Sequence, residues 1–159
     1  MHILQLTICA QRTYHQMPLR GASEITMPDT NLSPEHRDFF ERFKSFWAAP
    51  SGVRVPELIA PDAEIHFTGA GLMTGAAYAE WMAETLAAME DLTVTPLDCA
   101  GNGEMLYIAW ETSAMIHGSR RIYRGVDRFC LKDGMAIEEH VIFDSAVLTP
   151  EGRAGIEHS

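Results

Sequence analysis

Cysteine is scarce in this chain. Cys9, Cys99 and Cys130 are the only three, and they stand far apart. An odd number at wide spacing fits neither a disulfide framework nor a zinc site. Cys130 falls inside a strand pattern and reads as a small buried hydrophobe. The expected setting is a reducing cytoplasm. Positive charge is scarce too: 12 Lys and Arg stand against 22 Asp and Glu, a formal net charge of -10. A phosphate backbone would be repelled, so no nucleic-acid partner is expected. The densest basic spot is only Arg120-Arg121 with Arg124. No apolar run is long enough to span a bilayer, so no membrane partner is expected. The opening MHILQLTICA lacks the positive n-region of a signal peptide. His66, His117 and His140 have no close metal spacing, and neither a metal nor a cofactor is expected. GAGLMTG (Gly69 to Gly75) lacks the Lys-Ser/Thr ending of a phosphate loop and does not match the dinucleotide fingerprint. It reads as a flexible rim beside a cavity mouth.

What is present is a globular composition, 159 residues with 47% hydrophobic, enough for one domain with a core. Residues 1–32 show no sustained period and read as a poorly structured N-terminal arm, or as an extension upstream of a start at Met17 or Met27. Residues 33–148 form the domain, and 149–159 a flexible tail. Ser33-Pro34 is a helix start, a capping hydroxyl followed by proline at the first helical position. Phe39, Phe40, Phe43, Phe46 and Trp47 then make one apolar stripe, closed by Pro50-Ser51-Gly52. A helical turn is expected over Val55 to Ala60 and a strand over Ala63 to Thr68. A second helix runs from Ala76 to Glu90, with Tyr78, Trp81, Met82, Leu86 and Met89 on one side. Four long alternating runs follow, Thr93–Ala100, Glu104–His117, Arg121–Lys132 and Met135–Leu148, separated by short turns. Such connections mean antiparallel hairpins. Helices first and a strand meander last is the α+β pattern: a curved antiparallel sheet wrapped on helices, a cone with an open mouth.

One acid stands out. Along RGVDRFCLKDG, period-2 alternation puts Asp127 on the face of Gly125, Phe129 and Leu131, the apolar face. Gly125 beside it removes a side chain and leaves room for a ligand.

The order helix, IAPDAEIHF, Gly-rich loop, long helix, MEDLTVTP, then RGVDRFCLKDGMAIEEHVIFD resembles the SnoaL-like polyketide cyclases of the nuclear transport factor 2-like group, which includes ketosteroid isomerases and limonene-epoxide hydrolases. The resemblance covers about Pro34 to Leu148. It implies that Asp127 sits where steroid isomerases hold a neutral aspartic acid that donates to an oxyanion. It also implies which side chains point inward. These are Tyr123, Gly125 and Phe129 on the same strand, then Ile108, Trp110, Thr112 and Ala114 on the strand before. On the last strand they are Glu139, Val141 and Phe143. Three positions depart from the relatives. Phe67 stands in place of the isomerase base, Phe43 in place of the helix-1 tyrosine, and Val141 in place of the cyclase and hydrolase acid.

Each candidate reads two ways. Asp127 is a general acid or oxyanion donor, its pKa raised by apolar burial, or a buried acid tied to a fixed partner. Glu139 is a second carboxyl in the same pocket, or one of an EE pair flanking a bulge or standing in water at the mouth. His66 is a base, or a histidine on the outer side opposite Phe67; His140 faces outward likewise. The expected pocket is Phe43, Phe67, Trp81, Met82, Trp110, Thr112, Tyr123, Phe129, Val141 and Phe143, while Trp47 and Phe129 read more readily as core filling. The functional reading is a small-molecule pocket, an acid/base enzyme of cyclase or isomerase type acting on an apolar, carbonyl-bearing ring compound. Its alternative is a non-catalytic ligand-binding or assembly module. Ile142, Ala109 and Tyr107 on the outer sheet face predict a homodimer, the face through which related proteins commonly pair.

Overall fold

The structure, a computed structural model, describes residues 32–150 apart from Glu90. The expected arm before Leu32 and the tail from residue 151 lie outside the described residues. Helix α1 spans Pro34–Ala48 and starts as expected, with Ser33 Oγ accepting from the His36 N–H at 3.1 Å. Its stripe buries Phe39, Phe43 and Phe46. Each such burial is worth about 1.5–3 kcal/mol relative to exposure. A 3₁₀ helix at Gly52–Glu57 leads into β1 (Ile59–Phe67). The helical turn thus comes earlier than expected and the strand starts earlier. The reason is tertiary: Ile59 pairs with Ala136, and the Ala136 N–H donates to the Leu58 carbonyl.

The Gly-rich stretch is not only a loop. It carries β2 (Gly71–Thr74), paired antiparallel with β1. Helix α2 (Gly75–Ala88) follows at once, capped by Thr74 Oγ1, which accepts from the Ala77 N–H. Strands β3 (Thr93–Asn102), β4 (Met105–Ile116), β5 (Ser119–Lys132) and β6 (Met135–Phe143) complete one sheet of order β2-β1-β6-β5-β4-β3. All neighbours are antiparallel except β1 and β6. The last strand ends at Phe143 rather than Leu148, because Asp144 caps a 3₁₀ turn over Ser145–Leu148.

The β5–β6 hairpin sets the site. Asp133 and Gly134 both have positive φ, 52° and 77°, as a two-residue turn requires. The turn is clamped to α1. Arg42 donates to the Gly134 carbonyl, and Glu35 Oε1 accepts from the Gly134 N–H at 2.7 Å. Along β6 the register shifts, with Cys130 opposite Glu138 but Leu131 opposite Ala136. This bulge inserts one residue and swaps the inward parity, so Ala136 and Glu139 both face the core while Ile137 is exposed. A bulge does lie beside the EE pair, yet it turns Glu139 inward rather than into water. The largest buried side chains beneath the sheet are Phe39, Phe129, Ile65, Leu106, Ile108 and Leu131.

Candidate functional site

An outer chamber of about 540 Å³, the open solvent at its mouth included, lies between α2 and the concave face of the sheet. A smaller inner one, about 320 Å³ counted the same way, lies towards α1. Trp47, Tyr78 and Asp127 line both. Of the expected pocket, Phe67, Trp81, Met82, Trp110, Thr112, Tyr123, Val141 and Phe143 line the outer chamber. Phe43 and Phe129 line the inner one, with Glu139. Phe129 also packs in the core, its ring 4.9 Å from Phe39.

Asp127 is 5% exposed and Glu139 3%. Their register explains why they meet. Asp127 opposes Val141 and Phe129 opposes Glu139, so the two acids are diagonal neighbours on one face of adjacent strands. Trp110 stands diagonal to Asp127 on the other side, since Ile108 opposes Asp127. Its indole Nε1–H donates to Asp127 Oδ1 at 2.8 Å. Burial pushes the Asp127 carboxyl up to about 7, against the Trp110 hydrogen bond, which acts the other way. Burial also holds Glu139 well above the usual carboxylate range, and the charge of Asp127 adds to it. The Tyr78 hydroxyl is raised by burial and by both acids. Among the described residues, Glu139 Oε2 on β6 and Trp47 Nε1 on α1 are buried without a hydrogen-bond partner.

Two expectations are corrected here. Gly125 does not leave room for a ligand. A Cβ there would lie 2.3 Å from the Trp110 indole and 2.7 Å from the Ile142 carbonyl oxygen, so the space is taken by Trp110. Trp47 is not simply core, because its ring borders both chambers.

His66 lies on the opposite face of β1 from Phe67 and lines neither chamber. Its Nε2 pairs with Glu64 Oε1 at 2.6 Å, and its ring stacks on His140 at 4.2 Å. His140 in turn pairs with Glu138, as does Arg128. The structure therefore separates His66 from the two acids. Tyr78, Thr85, Met89, Leu92 and Val94 line the outer chamber and were not expected there. The signal for three of them was present: Tyr78, Met82, Thr85 and Met89 recur at helical spacing along one side of α2. Val94 could be found only through its pairing with Thr112. Among the described residues, no Lys, Arg or His lines either chamber. Nor does any group of three His, Cys, Asp or Glu side chains there come together as metal ligands.

A family profile for a SnoaL-like domain matches residues 36–140. No curated protein matches the sequence. Solved structures do. IdmH from Streptomyces antibioticus, a candidate polyketide cyclase, aligns with a TM-score of 0.60 at 19% identity, covering 71% of this chain and 94% of that one. A candidate SnoaL-like polyketide cyclase from Jannaschia sp. CCS1 aligns at 0.62 and 15% identity, covering 76% and 98%. A protein of ketosteroid isomerase-like fold from Catenulispora acidiphila DSM 44928 aligns at 0.65 and 15% identity, covering 76% and 94%. At these identities the likeness establishes the cone fold.

Proposed function

This chain belongs to the SnoaL-like domain family, and we propose that its cavity is the active site of an acid/base enzyme, cyclase- or isomerase-like, acting on an apolar carbonyl-bearing ring compound. The observation that carries the reading is the pair Asp127 and Glu139, buried together on one face of the sheet, with no Lys, Arg or His among the described residues that line the chambers. Two carboxyls so placed cannot both ionise readily, and near neutrality the pair retains a proton. Both carboxyls are raised by burial; Asp127 alone accepts from the Trp110 indole, which favours its ionised form, so Asp127 is assigned as the base and Glu139 as the proton-holding acid. That exchanges the roles expected from the sequence. Asp127 takes a proton from carbon next to the carbonyl, the C–H electron pair becomes the C=C bond of an enolate, and the carbonyl π pair moves onto oxygen. Glu139 donates a hydrogen bond to that oxygen. The aromatic walls of Phe67, Trp81, Tyr123 and Phe143 suit a flat ring. A reducing cytoplasm goes with this reading, since Cys99 and Cys130 are unpaired.

The test is hydrogen exchange in 2-tetralone, an apolar ring ketone, followed by NMR in D₂O. The protein should speed loss of the α-protons, with a rate that rises as pH passes through about 7 and that is abolished by Asp127→Asn. Binding of the ketone without any exchange would overturn catalysis and leave a ligand-binding module of the same fold.

A further inference from the structure

Six of the aromatic side chains that line the outer chamber form one continuous wall: Tyr78 and Trp81 from α2, Phe67 from β1, Trp110 from β4, Tyr123 from β5 and Phe143 from β6. Trp81 lies 4.6 Å from Phe67 and 5.9 Å from Tyr78. Phe143 lies 5.8 Å from Phe67, 5.5 Å from Tyr123 and 6.1 Å from Trp110. The planes turn by 57° between Phe67 and Trp81 and by 72° between Phe67 and Phe143. Such a wall is no flat stack, and it presents ring faces as well as edges. Phe67, Trp81, Tyr123 and Phe143 are only half-buried, so packing leaves part of each ring uncovered.

The charges point to one class of occupant. A ring face carries negative potential and attracts a cation. Asp127 stands beside the wall, bonded to Trp110, and is the one carboxyl among the described residues that line the outer chamber. No Lys, Arg or His lines the chamber among those residues. An anion would meet Asp127 without a counter-charge. A neutral ring would use only the apolar surface of the wall. A cation would use both the rings and the acid, and the chain's net charge of -10 draws cations towards the mouth. A primary ammonium carries three donors that need acceptors on leaving water, and this lining is largely apolar. An alkylated ammonium has an apolar surface and leaves water at less cost.

We infer that the outer chamber is an aromatic box for a positively charged, alkylated nitrogen, with Phe67, Trp81, Tyr123 and Phe143 as its walls and Asp127 as its counter-charge. This rests on the reading of the cavity as an active site and narrows its substrate class to rings that carry such a nitrogen. Affinity for the cation should rise with pH. Burial pushes Asp127 up to about 7, and its titratable neighbours in the cavity, Glu139 on β6, Tyr78 on α2 and Tyr123 on β5, are pushed up by burial as well. Whichever of them ionises, raising the pH adds negative charge to the cavity.

The inference is tested with phenyltrimethylammonium and tert-butylbenzene, which share a shape and differ by nitrogen for carbon and one positive charge. Binding is read at pH 5.5 and pH 8 by tryptophan fluorescence and by the indole N–H resonances in ¹H–¹⁵N spectra. At pH 8 the cation should bind about tenfold more tightly than its neutral isostere, the scale of a partly desolvated cation–ring contact. The preference should shrink at pH 5.5, and Asp127→Asn should weaken its pH dependence. Trp81→Leu and Phe143→Leu should each cost the cation more affinity than they cost tert-butylbenzene. The Trp81 indole resonance should shift with the cation bound. Equal or weaker binding of the cation, binding of neither probe, or cation binding that leaves the Trp81 resonance unmoved would overturn the aromatic box. Those outcomes are separable from the catalytic reading, because α-proton exchange in 2-tetralone is measured without any cation. The wild-type measurements stand even if a variant does not fold.

Discussion

The Trp110 indole occupies the space that any side chain larger than hydrogen at position 125 would need, 2.3 Å from a Gly125 Cβ. The two residues face each other across β4 and β5. Glycine at 125 therefore serves the tryptophan: it leaves room for the ring against β5 while Nε1 reaches Asp127. Gly125→Ala should push the ring away. The expected cost is about 1–3 kcal/mol of stability, the usual range for overpacking, measured by urea unfolding. Loss of the Trp110 bond should raise the Asp127 pKa further, since that bond holds it down. An unchanged pKa would mean that the ring does not move.

Stability should fall as pH rises. Asp127 is raised from 3.8 to about 7 in the folded protein, so the folded state holds its proton where the unfolded chain has lost it. The contribution is complete below the unfolded value and is lost as pH rises through about 7. The slope from this group reaches at most about 1.4 kcal/mol per pH unit. Glu139 acts in the same direction. Denaturant melts between pH 4 and 8 check the sign; a flat profile contradicts two buried raised carboxyls.

Asp127→Asn should flatten that profile and make the protein relatively more stable at the alkaline end. The amide oxygen still accepts from Trp110, so the fold should persist. Removing the aspartate charge should also bring the Glu139 pKa down, because that charge is one of its two causes. Carboxyl NMR titration of the variant reads this directly.

His66→Ala should leave ring-ligand affinity within about twofold, the usual scale of a surface change. His66 faces Glu64 and His140 on the far side of β1. A larger effect, measured by fluorescence titration, would show that the outer face communicates with the cavity.

The outer sheet face should pair two copies of the chain. Ala109, Val126 and Ile142 lie in register across β4, β5 and β6, with Val126 36% and Ile142 53% exposed. Ile142→Glu together with Val126→Asp should yield monomers by light scattering. A wild-type monomer at micromolar concentration would refute the pairing.

Alternation along β5 was enough to set Asp127 among apolar residues, because a strand has a period of two and the turn at Asp133-Gly134 anchors the count. The stripe and cap of α1 were legible for a similar local reason: a 3.6-residue period and a hydroxyl before proline. The short β2 was not legible, since its pairing with β1 rests on backbone hydrogen bonds that glycine-rich composition does not announce.

Glu139 marks the boundary between the two kinds of information. The sequence placed Glu139 on the inward face with Val141 and Phe143, but left open whether it joins Asp127 or stands in water at the mouth. Local sequence determined two facing carboxyl-bearing strands, an aromatic helix and a tight hairpin. Tertiary structure decided that Glu139 is buried beside Asp127. The one-residue bulge opposite Cys130 and Leu131 rotates β6, and its position is set by how β6 pairs with β5 on one side and with β1 on the other. It likewise decided that Trp110 fills the gap at Gly125, because only a cross-strand neighbour can claim space that a glycine leaves.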